Sequence, residues 1–198
     1  LSKFWNSGWS NTKPIPLYHY TIYLIKINII LILFLGCITI SPDVLGQSMS
    51  TTFGGASGEY PQCIIQTGDG GYALCGYTAS YGAGGNDAWV IKTDTSGAII
   101  WQYTYGGAGN DRAYSIIQDG SEYVVAGYYD NLSGASYPSD AWIFKLNSTG
   151  GITWQYTYGI YDYNEMLYSI IKDGSYYVAA GMTNSYASGN YDGLVIKV

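Results

Sequence analysis

Paired carboxylates can do acid–base work on a glycosidic bond, and the chain offers a set of them in Asp87, Asp140 and Asp192. Each stands at the head of a similar run: Asp87-Ala88-Trp89-Val90-Ile91-Lys92, Asp140-Ala141-Trp142-Ile143-Phe144-Lys145 and Asp192-Gly193-Leu194-Val195-Ile196-Lys197. An acid at the same place in every unit reads as a turn cap or loop bridge, not as one half of a catalytic pair. Gly106-Gly107-Ala108-Gly109-Asn110-Asp111 matches the calcium pattern G-G-x-G-x-D, since hard cations take carboxylate and carbonyl oxygens. A calcium β-roll needs tandem copies, and the counterparts beginning at Gly54 and Gly159 lose the pattern. The stretch therefore reads as a glycine-rich connection. The single histidine, His19, lies near the start, which leaves the rest of the chain without a histidine base, triad or zinc ligand. No catalytic residue, cofactor or metal is expected.

Cys63 and Cys75 are equidistant from Asp69 at the centre of a turn, so they should face each other across a hairpin. The other units carry Ser115 with Ala126 and Ser169 with Ala180 at that place. Export would favour a disulfide there; two buried thiols are the alternative. Asn131-Leu132-Ser133 and Asn147-Ser148-Thr149 have the glycosylation pattern. Tyrosines crowd the connections before strand c, at Tyr81, Tyr128, Tyr129, Tyr137, Tyr186 and Tyr191. An exposed tyrosine offers a partner an apolar ring and a polar tip. Tyr81, Tyr129, Tyr137, Tyr186 and Tyr191 are the candidate ligand contacts.

These residues are positioned by a repeat. Trp101-Gln102-Tyr103-Thr104-Tyr105-Gly106 returns 53 positions later as Trp154-Gln155-Tyr156-Thr157-Tyr158-Gly159, and units align at 52–103, 104–156 and 157–198. Each holds an acid (Glu59, Asp111, Glu165), a strand a ending in Ile-Ile, and an Asp/Gly turn. A strand b ending in Gly76, Gly127 or Gly181 follows, then the Asp-headed strand c. Strands a to c are near-continuous apolar runs and predict burial on both faces. Strand d alternates, with Trp101, Tyr103 and Tyr105 inward and Gln102 and Thr104 outward. Each buried ring would contribute roughly 4–6 kcal/mol as an upper bound. The third unit has strands a to c, while residues 47–53 align with the end of a strand d, Met49 on Trp101 and Phe53 on Tyr105.

Four short strands per unit, at a period near fifty, fit the blades of a propeller. The pattern Gly70-Gly71-Tyr72-Ala73-Leu74-Cys75-Gly76, then Asp87 to Lys92, then Trp101 to Gly107, resembles the secreted propeller-type repeats of prokaryotic surface and exported proteins. The resemblance covers residues 52–198 and implies a non-catalytic extracellular scaffold or interaction module. The Asp94-to-Trp101 segment is also similar to quinoprotein blades, but Asp94 to Gly97 is one residue shorter, and no quinone is carried over. The expected fold is all-β: three four-stranded antiparallel repeats forming a partial propeller or an open arc, or copies that assemble. A β-prism or β-trefoil is the alternative.

Residues 1–46 read as a leader. Lys26 precedes an apolar run from Ile29 to Ile40, about the length of a signal-peptide core and short for a bilayer span. A membrane anchor over residues 21–40 is the second reading. Lipidation of Cys37, in the lipobox-like Phe34-Leu35-Gly36-Cys37, is the third. From Gln47 onward there are 13 acidic and 5 basic residues, a net of −8. That excludes nucleic acid and anionic lipid as electrostatic partners. Charged residues are 11% against 23 tyrosines and 27 glycines, a composition for strands and turns. The expectation is a secreted or cell-surface module for a protein or glycan partner, with membrane contact only through the leader. The alternatives are a lectin-like module and a fragment of a propeller enzyme acting on polysaccharide.

Overall fold

A computed structural model describes residues 49–130, 138–160, 163–185 and 190–198. The chain divides into two compact units, Leu1–Ser48 and Met49–Val198, and the described residues belong to the second. The leader readings, Cys37 included, and the calls on Tyr137, Tyr186 and Asn131 lie outside the described residues.

All regular structure among the described residues is β-strand, in eleven strands and three sheets. The first sheet holds β1 (Glu59–Gln66), β2 (Tyr72–Thr78), β3 (Asp87–Thr93) and β4 (Ile99–Tyr105). The second holds β5 (Arg112–Asp119), β6 (Glu122–Tyr129), β7 (Asp140–Leu146) and β8 (Ile152–Tyr158). The third holds β9 (Glu165–Asp173), β10 (Tyr176–Thr183) and β11 (Asp192–Lys197). Within each sheet the strands lie in chain order and pair antiparallel. These are the expected strands a to d, with no fourth strand beside β11 among the described residues. No helix of the described residues is long and apolar enough to cross a membrane.

The turns explain why the units break where they do. Asp94 Oδ1 accepts from the backbone N–H of Ser96 and Ala98, and Asn147 Oδ1 does the same for Thr149 and Gly151. Each side chain thus closes the β3–β4 or β7–β8 connection upon itself. Strand-c lysines then tie the other hairpin turn of the same sheet. Lys92 reaches Asp69 at 2.8 Å, Lys145 reaches Glu122 at 2.7 Å, and Lys197 reaches Asp173 at 2.7 Å.

The sheets stack in series as an open arc of blade-like units, and none is closed into a barrel. One core lies between the first and second sheets around Val90, Ile116, Val125, Trp142 and Phe144. Another lies between the second and third around Val124, Ile143, Leu167, Ile170 and Ala179. A β-prism would bring three sheets onto one core and a trefoil would close a barrel; two separate cores fit neither. The second sheet is covered on both faces, and β6 and β7 are buried almost throughout. The expectation of two buried faces fails for β1, β9 and β11, which are largely exposed. Each belongs to a sheet with only one sheet neighbour. Tyr103 and Tyr156 are also half exposed instead of inward. Tyr103 rests on Gly150 of the next sheet, where an added Cβ would meet the ring at 2.6 Å, and its other side faces solvent.

Residues 49–53 form no strand, but they lie on the first sheet as strand d of one unit lies on the next. An added Cβ at Gly97 would meet the Met49 sulfur, as one at Gly150 meets Tyr103 and Trp101. Phe53 lines the same recess as Leu74, Trp89 and Ile91. The sequence alignment of Met49 with Trp101 and Phe53 with Tyr105 thus has a structural counterpart.

Candidate functional site

The repeated acids are bound up in loop architecture. Glu59 accepts from Gly55 N–H and the Thr78 hydroxyl, and Glu165 from Ile160 N–H and the Thr183 hydroxyl. Asp111 accepts from Gly107 N–H at 2.7 Å with one oxygen and Asp130 N–H at 2.8 Å with the other. Asp87 caps its turn through the N–H groups of Ala83 and Gly84. In the glycine-rich stretch, both Asp111 oxygens are therefore turned onto backbone donors. Among the described residues, no group of three or more His, Cys, Asp or Glu side chains is placed to hold a metal ion.

Burial, and then the carboxylates of Asp87 and Asp130, push Asp111 up to about 6. Its folded value lies above the unfolded one of 3.8, so the native state holds the proton more tightly. The contribution of Asp111 to stability is therefore greatest in acid and falls as pH rises from about 4 to about 6. Asp111→Asn removes this titration. The melting temperature of the parent, minus that of the variant, is expected to widen by a few degrees between pH 7 and pH 5. A difference independent of pH would refute the assignment.

Cys63 and Cys75 are direct register partners across the β1–β2 hairpin, as the symmetry about Asp69 predicts. Both are free thiols, Cys75 buried and Cys63 partly so. A hydrogen bond from Cys75 draws Cys63 down to about 6, and the same bond with burial pushes Cys75 up.

The feature with the character of a contact surface runs along the strand-a side of all three sheets. In each strand a the pairing register slips by one residue against strand b: between Pro61 and Cys63, between Ala113 and Ser115, and opposite Ala180/Gly181. Such a bulge bends the strand and re-aims the extra side chain. Here the extra residues are Gln62, Tyr114 and Tyr168. The bulge also brings a strand-a carbonyl against the strand-b glycine: an added Cβ would lie 2.2 Å from Tyr60 O at Gly76, 1.8 Å from Arg112 O at Gly127 and 1.7 Å from Met166 O at Gly181.

The re-aimed rings join others into a strip. Tyr60 stacks on Tyr77 at 4.8 Å. The Arg112 guanidinium sits 4.3 Å from the Tyr77 ring centre and 5.8 Å from that of Tyr128. Tyr114 meets Tyr128 at 6.0 Å and Tyr168 at 5.1 Å. Six side chains from three sheets are thus in one line, with Tyr60 and Tyr168 the most exposed. Ring faces hold the cation, and among the described residues the Arg112 Nε is the buried side-chain nitrogen left without a hydrogen-bond partner.

The tyrosines singled out from sequence divide. Tyr191 is exposed. Tyr81 is exposed but ties its hydroxyl to Gly54 O at 2.8 Å. Tyr129 turns inward onto Trp142 at 5.4 Å. It borders a cavity of about 350 Å3 with Gly106, Ile152, Gln155 and Thr157. Tyr60, Tyr77, Arg112, Tyr114 and Tyr168 were missed. The glycine ending strand b in every unit was the available signal, since a glycine inside a strand marks a bulge or close backbone approach.

Searched against models of known protein families and against curated proteins, the chain matches none.

Proposed function

We propose that this chain is a non-catalytic exported module of propeller-type repeats that holds a protein or glycan partner against the Tyr60–Tyr168 strip. The observation that carries the reading is the strip itself: aromatic rings from three successive units in consecutive contact, two of them, Tyr114 and Tyr168, set by the strand-a bulge. Rings of this kind stack on the apolar faces of sugars and pack against protein side chains. The carboxylates of Glu59, Asp87, Asp111 and Glu165 favour the same reading, because they serve as acceptors for backbone N–H groups.

The test is binding of the purified chain to a glycan array and to candidate surface proteins, beside Tyr60→Ala and Tyr168→Ala. At least a tenfold loss of affinity in either variant is expected, about 1.4 kcal/mol. Binding indifferent to both substitutions would remove the strip from the reading. Release of reducing ends from a polysaccharide would favour the enzyme alternative.

Export makes a separate prediction. In an oxidising compartment the Cys63 thiolate attacks a disulfide donor and Cys75 resolves the mixed disulfide. The bond would close a loop of about 13 residues and add roughly 3 kcal/mol on the chain-entropy model. The denatured, unreduced protein recovered from outside the cell should show neither thiol to a titrating reagent. Two thiols at these positions would rule the bond out.

A further inference from the structure

Two successive sheet interfaces are built to one plan, and the outer faces of the arc carry its two halves. Across the first interface, Cys63 packs against the core cluster that contains Ile116. Trp101 meets Tyr123 at 5.9 Å. Across the second, the Ser115 hydroxyl takes the backbone N–H of Ile170 at 3.3 Å, and Trp154 meets Tyr177 at 5.9 Å. Cys63 and Ser115 hold one place in the repeat, as do Ile116 and Ile170, and as do Tyr123 and Tyr177.

The next members of each series lie on exposed surface. Ser169 holds the acceptor place on the third sheet, beside Ile171 at 59% and Val195 at 70% exposure. Ile64, 59% exposed, holds the donor place on the first sheet. Leu74, Trp89 and Ile91 line a recess of about 300 Å3 on the same sheet. Val195 corresponds to Val90 and Ile143, each wholly buried in an interface. Among the described residues, no fourth strand flanks β11 as β4 and β8 flank β3 and β7. Residues 49–53 already lie on the first sheet where the preceding unit's fourth strand would lie.

We propose that the outer face of the third sheet docks onto the outer face of the first sheet of a second copy, head to tail. Ser169 then accepts from Ile64 N–H, Val195 enters the apolar recess, and residues 49–53 of the second copy run beside β11 as its fourth strand. What supports the second copy as occupant is continuity: the contact repeats, place by place, an interface the chain makes twice within itself. The contact is heterologous, so each copy uses two different faces. It stands independently of the partner held on the tyrosine strip.

The experiment is the mass of the full chain in solution by light scattering, with Val195→Arg and Ile64→Asp made separately. Both positions are exposed, and unchanged circular dichroism confirms that each variant folds. The parent is expected as multiples of 21.6 kDa that grow with concentration, and each variant as a monomer. An equimolar mixture of the two variants is expected to form a 1:1 dimer, because each retains the face the other has lost. A parent that stays monomeric up to about 100 µM would overturn the proposal; such a contact should be at least micromolar. So would variants that associate like the parent, as they would if the leader drove association, or a mixture that stays monomeric.

Discussion

Trp142→Ala should lower unfolding stability by about 3–5 kcal/mol, the range for removing a fully enclosed large aromatic. Trp142 is 2% exposed. It lies 4.2 Å from Phe144 and 5.4 Å from Tyr129, ring centre to ring centre, and its Nε1–H donates to Gln155 Oε1 at 3.1 Å. Truncation leaves a hole in the core shared by the first two sheets, beside the cavity already present there. The surrounding sheets are paired through their backbones and collapse little, so the cavity penalty adds to the lost transfer energy. Urea unfolding followed by circular dichroism measures it. A loss under about 1 kcal/mol would mean that the two sheets do not pack as described.

Gly127→Ala is the second change with a large expected effect, about 3 kcal/mol or more, although it adds a single methyl group. The new Cβ would meet Arg112 O at 1.8 Å, Arg112 C at 2.9 Å and the Ala113 Cα at 3.0 Å. All three are backbone atoms of the bulged strand, so no flexible side chain can give way. Relief requires the bulge in β5 to straighten, which also turns Tyr114 out of the strip. Gly193→Ala is the matched control, because a Cβ there meets nothing within 4 Å. Equal stability losses in the two variants would break the link between the strand-b glycine and the bulge. A destabilised Gly127→Ala protein that keeps full partner binding would break the link between the bulge and the strip.

The strands were legible because their boundaries are chemical. Asp94 and Asn147 mark one turn and the Asp-Gly pairs another, and the apolar runs between them have the length of strands. Cys63 opposite Cys75 followed from counting outward from Asp69. Exposure was less legible, because a run such as Tyr60 to Ile65 has the same composition whether one or both of its faces are covered. Coverage depends on the number of neighbouring sheets, which composition does not encode. The strip was illegible for a different reason. Gln62, Tyr114 and Tyr168 are aimed by a one-residue slip in pairing, and strict alternation assigns a slipped residue to the wrong face. The tyrosines of the connections drew attention by number, yet Tyr129 is spent inside on Trp142 and Tyr81 on Gly54.

Two cores that share one sheet set how the protein comes apart. The first and third sheets each have a single sheet interface to lose, while the second cannot open without breaking both. Unfolding should therefore resemble a row of coupled units: the outer sheets fray separately, and the amides of β6 and β7 exchange only when the whole array melts. A change such as Trp142→Ala loosens one coupling and leaves the other intact, so it should release the first sheet as a separate, earlier transition while the second and third still melt together.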